Sequence, residues 1–146
     1  MAEGAVGAGS AGRVITLDTS GLFALLNRED PDHVRVAAAL ETDRGPYLVP
    51  AAILAEIAYL VEQRLGAEVL DAFLADLATR AFSLECGDED VPRVRALIRR
   101  YADLPLGFAD AAVVACAERS GGAVLTLDVR DFGVVAGEGR ITVVPG

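Results

Sequence analysis

Val14-Ile15-Thr16-Leu17-Asp18 is a short β-branched and apolar run that ends abruptly in an acid, and nearly the same words return as Val124-Leu125-Thr126-Leu127-Asp128. Each run has the length of a buried strand and is followed by the start of a new element. In a parallel α/β sheet, ligands and chemistry lie beyond the carboxyl ends of the strands. Two similar strands that deliver Asp18 and Asp128 to that edge mark the first candidate site.

Outward from these runs, strand patterns alternate with helical ones. Thr19-Ser20 caps a short helix to about Asn27. Asp30-Pro31 restarts the chain as a helix, with Pro at its first position and Val34, Ala37, Ala38 and Leu40 as its apolar stripe. Gly45-Pro46 ends it, Tyr47-Leu48-Val49 reads as a second strand, and Pro50 opens a helix to Leu65 that Gly66 stops. On that helix Ile53, Leu54, Ile57, Leu60 and Val61 form the core stripe, and Glu56 falls at its edge. Ala67–Thr79 is a further amphipathic helix, with Val69, Leu70, Phe73, Leu74 and Leu77 inward, and Ala81–Glu85 is a third strand. Gly87-Asp88-Glu89-Asp90 is an acidic helix start that suits the macrodipole of the helix from about Pro92 to Tyr101. Leu104–Gly107 leads into Phe108–Ser120, which is apolar nearly all round and so should be a buried helix. Gly121-Gly122 launches the second Leu-Asp strand, Val129–Gly133 is a turn or a single helical turn, and Ile141–Val144 is an edge strand. The alternation predicts an α/β fold: three layers around a central parallel sheet of four to five strands.

Composition narrows the function. The chain has 146 residues, 53% of them hydrophobic, which suits one domain with a substantial core. Met1–Gly12, small and Gly/Ala-rich, is expected to be a poorly ordered extension, with a single domain over residues 13–146. No later stretch reaches membrane-spanning length without a charge, so no membrane is expected. The net charge of −9 opposes sequence-independent binding to duplex nucleic acid, although bound cations can supply positive charge locally. All thirteen basic residues are arginine, which removes P-loop and Schiff-base chemistry. His33 is the one histidine, so His-rich zinc sites and histidine acid–base schemes are not expected. Cys86 and Cys116 lack a CxxC or zinc spacing and read as reduced, buried apolar residues of a cytosolic protein. Arg93, Arg95, Arg99 and Arg100 read as a solvated face, with contact to RNA as the sharper alternative.

Taken singly, each acid has a plain reading. Asp18 and Asp128 can cap the turns that follow their strands, Asp110 can be a first-turn acid stabilised by the helix dipole, and Glu56 can reach water. Together they put two strand-end acids on one sheet edge and two helix acids at core-facing or core-edging positions. Like charges about 4 Å apart repel by roughly 4 kcal/mol at an effective dielectric near 20, so convergence requires a cation. Oxygen ligands without His or Cys select Mg²⁺ or Mn²⁺, and such an ion can orient a phosphodiester and offset transition-state charge.

Leu17-Asp18-Thr19-Ser20, Leu54-Ala55-Glu56-Ile57, Phe108-Ala109-Asp110-Ala111 and Leu125-Thr126-Leu127-Asp128, in that order, give the chain a resemblance to PIN-domain ribonucleases, and among them to VapC-type toxins of type II toxin–antitoxin systems. The resemblance spans about Val14 to Val144. It implies a cytoplasmic, Mg²⁺- or Mn²⁺-dependent endoribonuclease that cuts RNA, with tRNA or rRNA loops as candidates, by metal-activated attack of water on the phosphodiester, and so inhibits translation and growth. Asp18, Glu56, Asp110 and Asp128 would be its metal-binding acids. Thr19, Ser20 and Thr126 lie where hydroxyls can hold a ligand, and Asp131 would join a second metal shell or cap a helix. A homodimer and a cognate antitoxin are implied partners. A haloacid-dehalogenase phosphatase needs an acid where Ser20 stands and a lysine that is absent, and a receiver domain fails for the same missing lysine. The non-enzymatic alternative is an interaction module whose acids are structural.

Overall fold

The two echoing runs pair with each other. Ile15–Leu17 forms β1, and Ala123–Leu125 forms β4 parallel to it, with Ile15, Thr16 and Leu17 opposite Ala123, Val124 and Leu125. All six residues are buried, as expected for central strands covered on both faces. The computed structural model describes residues 13–104 and 106–146; the extension expected over Met1–Gly12 lies outside them.

β2 (Tyr47–Pro50) lies on the other side of β1, β3 (Ser83–Glu85) outside β2, and β5 (Thr142–Val144) outside β4. The order β3-β2-β1-β4-β5 is parallel throughout, so the sheet has five strands and β5 is at an edge, as read from the sequence. After β1 the chain builds to one side, and from β4 it builds to the other. The crevice between the carboxyl ends of β1 and β4 is therefore the topological switch point, where open parallel sheets place their sites.

Among the described residues seven α-helices flank the sheet: α1 (Thr19–Leu26), α2 (His33–Thr42), α3 (Leu54–Leu65), α4 (Ala67–Ala78), α5 (Val91–Arg100), α6 (Phe108–Arg119) and α7 (Val129–Gly137). α6 is the buried helix that its composition predicts, with every residue from Ala111 to Ala117 inside. α3 buries Ile57 and Val61, Ile53 is buried in the 3₁₀ turn before it, and Gly66 ends it at φ +95°. Among the described residues no helix is long and apolar enough to cross a membrane.

Several expectations need correction. Pro31 lies in a turn and not in α2, and α2 turns Val36 and Leu40 inward while Val34 is 79% exposed. With so many alanines the stripe had two workable phases, and tertiary packing chose the other. Leu74 likewise faces outward and Phe73 carries the α4 contact. The turn expected at Val129–Gly133 is a full helix to Gly137, because Phe132 and Val135 bury against the core and outweigh two helix-disfavouring glycines.

The cysteines are also not the free thiols expected. Cys86, just beyond β3, and Cys116, inside α6, are disulfide-bonded with Cα atoms 5.6 Å apart. Their separation of 30 residues carried no signal, since only the folded arrangement of edge strand and buried helix brings them together. The arginine face of α5 is partly engaged. Arg93 forms a two-point ion pair with Glu118, and Arg100 reaches Glu138, which also accepts from Tyr101. Arg95 and Arg99 stay exposed.

Two stability tests follow from this core. Thr16 is fully buried in β1, and its hydroxyl has no hydrogen-bond partner among the described residues. An unmade buried bond costs about 1–3 kcal/mol, so Thr16→Val should raise unfolding stability by about 1 kcal/mol in urea titration. An unchanged or lower midpoint would show that the hydroxyl is satisfied. Reducing Cys86–Cys116 opens a 30-residue loop and should lower stability by about 3.6 kcal/mol on the chain-entropy account. Cys86→Ser should lower it similarly and leave no further response to reductant.

Candidate active site

Asp18 stands directly after β1, and it is only 5% exposed. Its backbone N–H donates to the Leu125 carbonyl, which locks the strand end against β4. Two hydroxyls converge on its side chain: Ser20 Oγ at 2.9 Å and Thr126 Oγ1 at 2.8 Å both donate to Oδ2. Each hydroxyl in turn accepts a backbone N–H from the chain after β4, Ser20 from Leu127 and Thr126 from Asp128, both at 2.9 Å. The hydroxyl protons and lone pairs are thus committed, and Asp18 is held in one orientation by both strand ends. Burial pushes the Asp18 carboxyl above its ordinary range, and the hydroxyls only partly offset that.

This clamp requires α1 to lie against β4, and Gly21 permits it. A Cβ at Gly21 would stand 2.7 Å from the Leu125 carbonyl oxygen, closer than atoms tolerate.

The other acids arrive from three helices. Asp110 lies in the first turn of α6 and Asp131 in the first turn of α7, where the helix dipoles favour negative charge. Asp128 is the N-cap of α7, and its Oδ1 accepts the Asp131 N–H at 3.3 Å. One carboxylate oxygen from each of Asp110, Asp128 and Asp131 lies within 4.8 Å of the others. Glu56, in the first turn of α3, is exposed and accepts the Thr19 hydroxyl at 2.8 Å. The structure thus brings all four expected acids to one cleft of about 520 Å³, with Asp18, Glu56, Asp110 and Asp128 on its walls. The tight trio draws in Asp131 rather than Asp18 or Glu56. Of the hydroxyls, Thr19, Ser20 and Thr126 all hydrogen-bond to the acids they accompany.

The electrostatics centre on Asp110. Its carboxyl is pushed up to about 6 by burial first, then by the charges of Asp18, Asp128, Asp131 and Glu56. A carboxylate so destabilised by its neighbours is a group that would hold a proton or a cation. The donor set is all carboxylate and hydroxyl oxygen, which fits a hard divalent ion and not zinc.

Three wall residues went unread in the sequence: Phe23, Asp30 and Arg64. Arg64 lies eight residues after Glu56, two turns along α3, so the same helical face carries both. That spacing was the available signal. Asp30 sits in a loop and had none.

With this geometry the comparisons with known proteins agree. Residues 15–138 match the PIN domain family. The chain is 35% identical over 133 residues to ribonuclease VapC26 of Mycobacterium tuberculosis, covering 88% of this chain and 98% of that protein. Among solved structures, VapC20 of Mycobacterium tuberculosis, a sarcin–ricin loop cleaving toxin, superposes with a TM-score of 0.70 at 21% identity over 82% of this chain and 94% of that one. DNA-bound VapBC from Salmonella typhimurium gives 0.63 at 22% over 90% and 96%, and FitAcB from Neisseria gonorrhoeae 0.61 at 23% over 89% and 96%. The acid cleft, the five-stranded parallel sheet and the match over nearly the whole chain agree: this chain belongs to the PIN-domain family, among the VapC ribonucleases.

Proposed function

We propose that the acid cleft hydrolyses RNA phosphodiester bonds with Mg²⁺ or Mn²⁺, held by Asp18, Glu56, Asp110 and Asp128 with support from Asp131. The protein then acts as the toxin of a type II toxin–antitoxin pair in the cytoplasm, as a homodimer, and a cognate antitoxin silences it. Loops of tRNA or ribosomal RNA, whose bases can be splayed out, are its proposed substrates. One observation carries the reading: five carboxylates meet at the switch point with no histidine among them, and Asp110 is pushed up to about 6 by burial first and then by that company.

When bound, the divalent ion supplies charge for the phosphoryl oxygens and a site at which water is activated. The rest falls to the side chains. Asp18 is turned into the cleft by the Ser20 and Thr126 hydroxyls, so its ligating direction is set before any ligand arrives. Glu56 is steadied by the Thr19 hydroxyl, which donates to it from the start of α1. Asp128 and Asp131 are fixed through the capped first turn of α7, and Asp110 through the buried body of α6. Positioning of this kind removes reorganisation from the reaction itself.

The same repulsion makes a stability prediction. The folded protein holds the Asp110 proton up to about pH 6, whereas the unfolded chain releases it near 3.8. Stability therefore falls as pH rises between those values, and the deficit is complete above pH 6. Without divalent ions Asp110→Asn should be more stable than the wild type at pH 7.5 by about 1–2 kcal/mol, screening included, and the two should converge below pH 4. Addition of Mn²⁺ should raise the melting temperature of the wild type, and Asp18→Asn combined with Asp128→Asn should abolish the rise. No Mn²⁺ effect on the wild type would remove the site assignment.

For activity, induced expression in bacteria should arrest growth and leave discrete RNA ends on sequencing, and Asp110→Ala should relieve both. Arrest that persists unchanged in Asp110→Ala would instead favour the interaction module with structural acids.

A further inference from the structure

We propose that Arg64 is a phosphate-positioning residue for the RNA strand: it binds a phosphate beside the one being cut and leads the strand from the acid cleft into a neighbouring groove. The inference rests on the ribonuclease reading of the cleft.

Glu56, Leu60 and Arg64 recur at intervals of four on α3 and all line the acid cleft. Arg64 is the only basic residue among the described residues that line it. It stands about 12 Å along the helix from Glu56. It also lines the adjoining groove of about 1090 Å³ between the end of α1, the loop to α2 and the α3–α4 pair, a mixed lining in which Arg28 and His33 stand with Glu29, Glu68 and Asp76. One side chain is thus shared by both hollows.

Its guanidinium carbon is 5.9 Å from the centroid of the Phe23 ring, whose residue also lines the acid cleft. The ring preorganises the planar donor group while its N–H bonds stay available. Six of the other arginines are held in ion pairs, such as Arg93 with Glu118 and Arg119 with Asp90, and Arg64 is one of the seven that form none among the described residues, the one of them that lines the acid cleft. A cation left unneutralised at the mouth of an acidic cleft suits an anion that must pass there. A two-point arginine–phosphate contact meets that need.

The test uses the full chain with two readouts. Binding of a fluorescein-labelled 12-nucleotide single-stranded RNA of mixed sequence is followed by anisotropy against NaCl. Initial rates of cleavage of bacterial total RNA with Mn²⁺ are followed against RNA concentration. Arg64→Ala should weaken binding about tenfold, lower the salt slope by about 1 and raise KM with kcat within about twofold. Arg64→Lys should recover most of the binding, and Arg99→Ala on α5 should match the wild type. Arg64→Ala should keep the full Mn²⁺ rise in melting temperature. Binding and KM unchanged in Arg64→Ala, an equal loss in Arg99→Ala, or loss of the Mn²⁺ response would each overturn the inference. Wild type that binds but does not cut removes the ribonuclease reading itself, and wild type that does neither removes both.

Discussion

The mutual repulsion of carboxylates at the carboxyl ends of β1 and β4 is the constraint around which this molecule is arranged. Asp18, Glu56, Asp110, Asp128 and Asp131 come from four segments, the end of β1, α3, α6 and the start of α7, and among the described residues none of them is ion-paired in the cleft, whose one basic lining residue is Arg64. At an effective dielectric near 20, a pair of unit charges 4.8 Å apart repels by about 3.5 kcal/mol. Such a cluster survives only because the fold overdetermines it. α6 is anchored by seven consecutive buried residues, and β1 and β4 are buried along their length. The divalent ion proposed for this cleft would relieve that repulsion.

That anchoring reaches Asp18 by hydrogen bonds. Ser20 and Thr126 each face two ways, toward Asp18 Oδ2 and toward backbone N–H groups of the segment after β4. The two strand ends therefore cannot shift independently, and Asp18 and Asp128 keep their relative placement. Gly21 is part of the same device, because any side chain there would force α1 off the Leu125 carbonyl and separate Ser20 from its partners. The disulfide at Cys86–Cys116 secures the helix that bears Asp110 from its far half, on the edge-strand side of the sheet.

Much of this was legible because periodicity and punctuation are local. The echo of Val14–Asp18 in Val124–Asp128 identified two strands of a parallel sheet with their acids on one edge, and the apolar girth of Phe108–Ser120 identified the buried helix. Both readings depend on residues within a few positions of each other. What stayed hidden depends on the assembled chain. The phase of α2 was undecided among its alanines, and packing set it on Val36 and Leu40. α7 continued past Gly133 because Phe132 and Val135 had a core to enter. The cysteine pairing, the promotion of Asp131 into the tight trio and the placement of Arg64 beside Phe23 all join segments that sequence spacing does not relate.

The charge of −9 looks ill suited to an RNA enzyme, yet it follows from the same logic. Sequence-independent affinity for nucleic acid comes from neutralised phosphates and released counterions. A chain of net charge −9, with six of its thirteen arginines held in ion pairs among the described residues, gains little of that affinity. At the cleft itself, the cations that could attract a phosphate are the proposed ion among the carboxylates and the guanidinium of Arg64. An RNA segment that can put consecutive phosphates at both places is favoured over one that cannot. Discrimination then comes from shape and spacing at the cleft instead of from a broad basic field, and the acidity of the chain contributes to the selectivity.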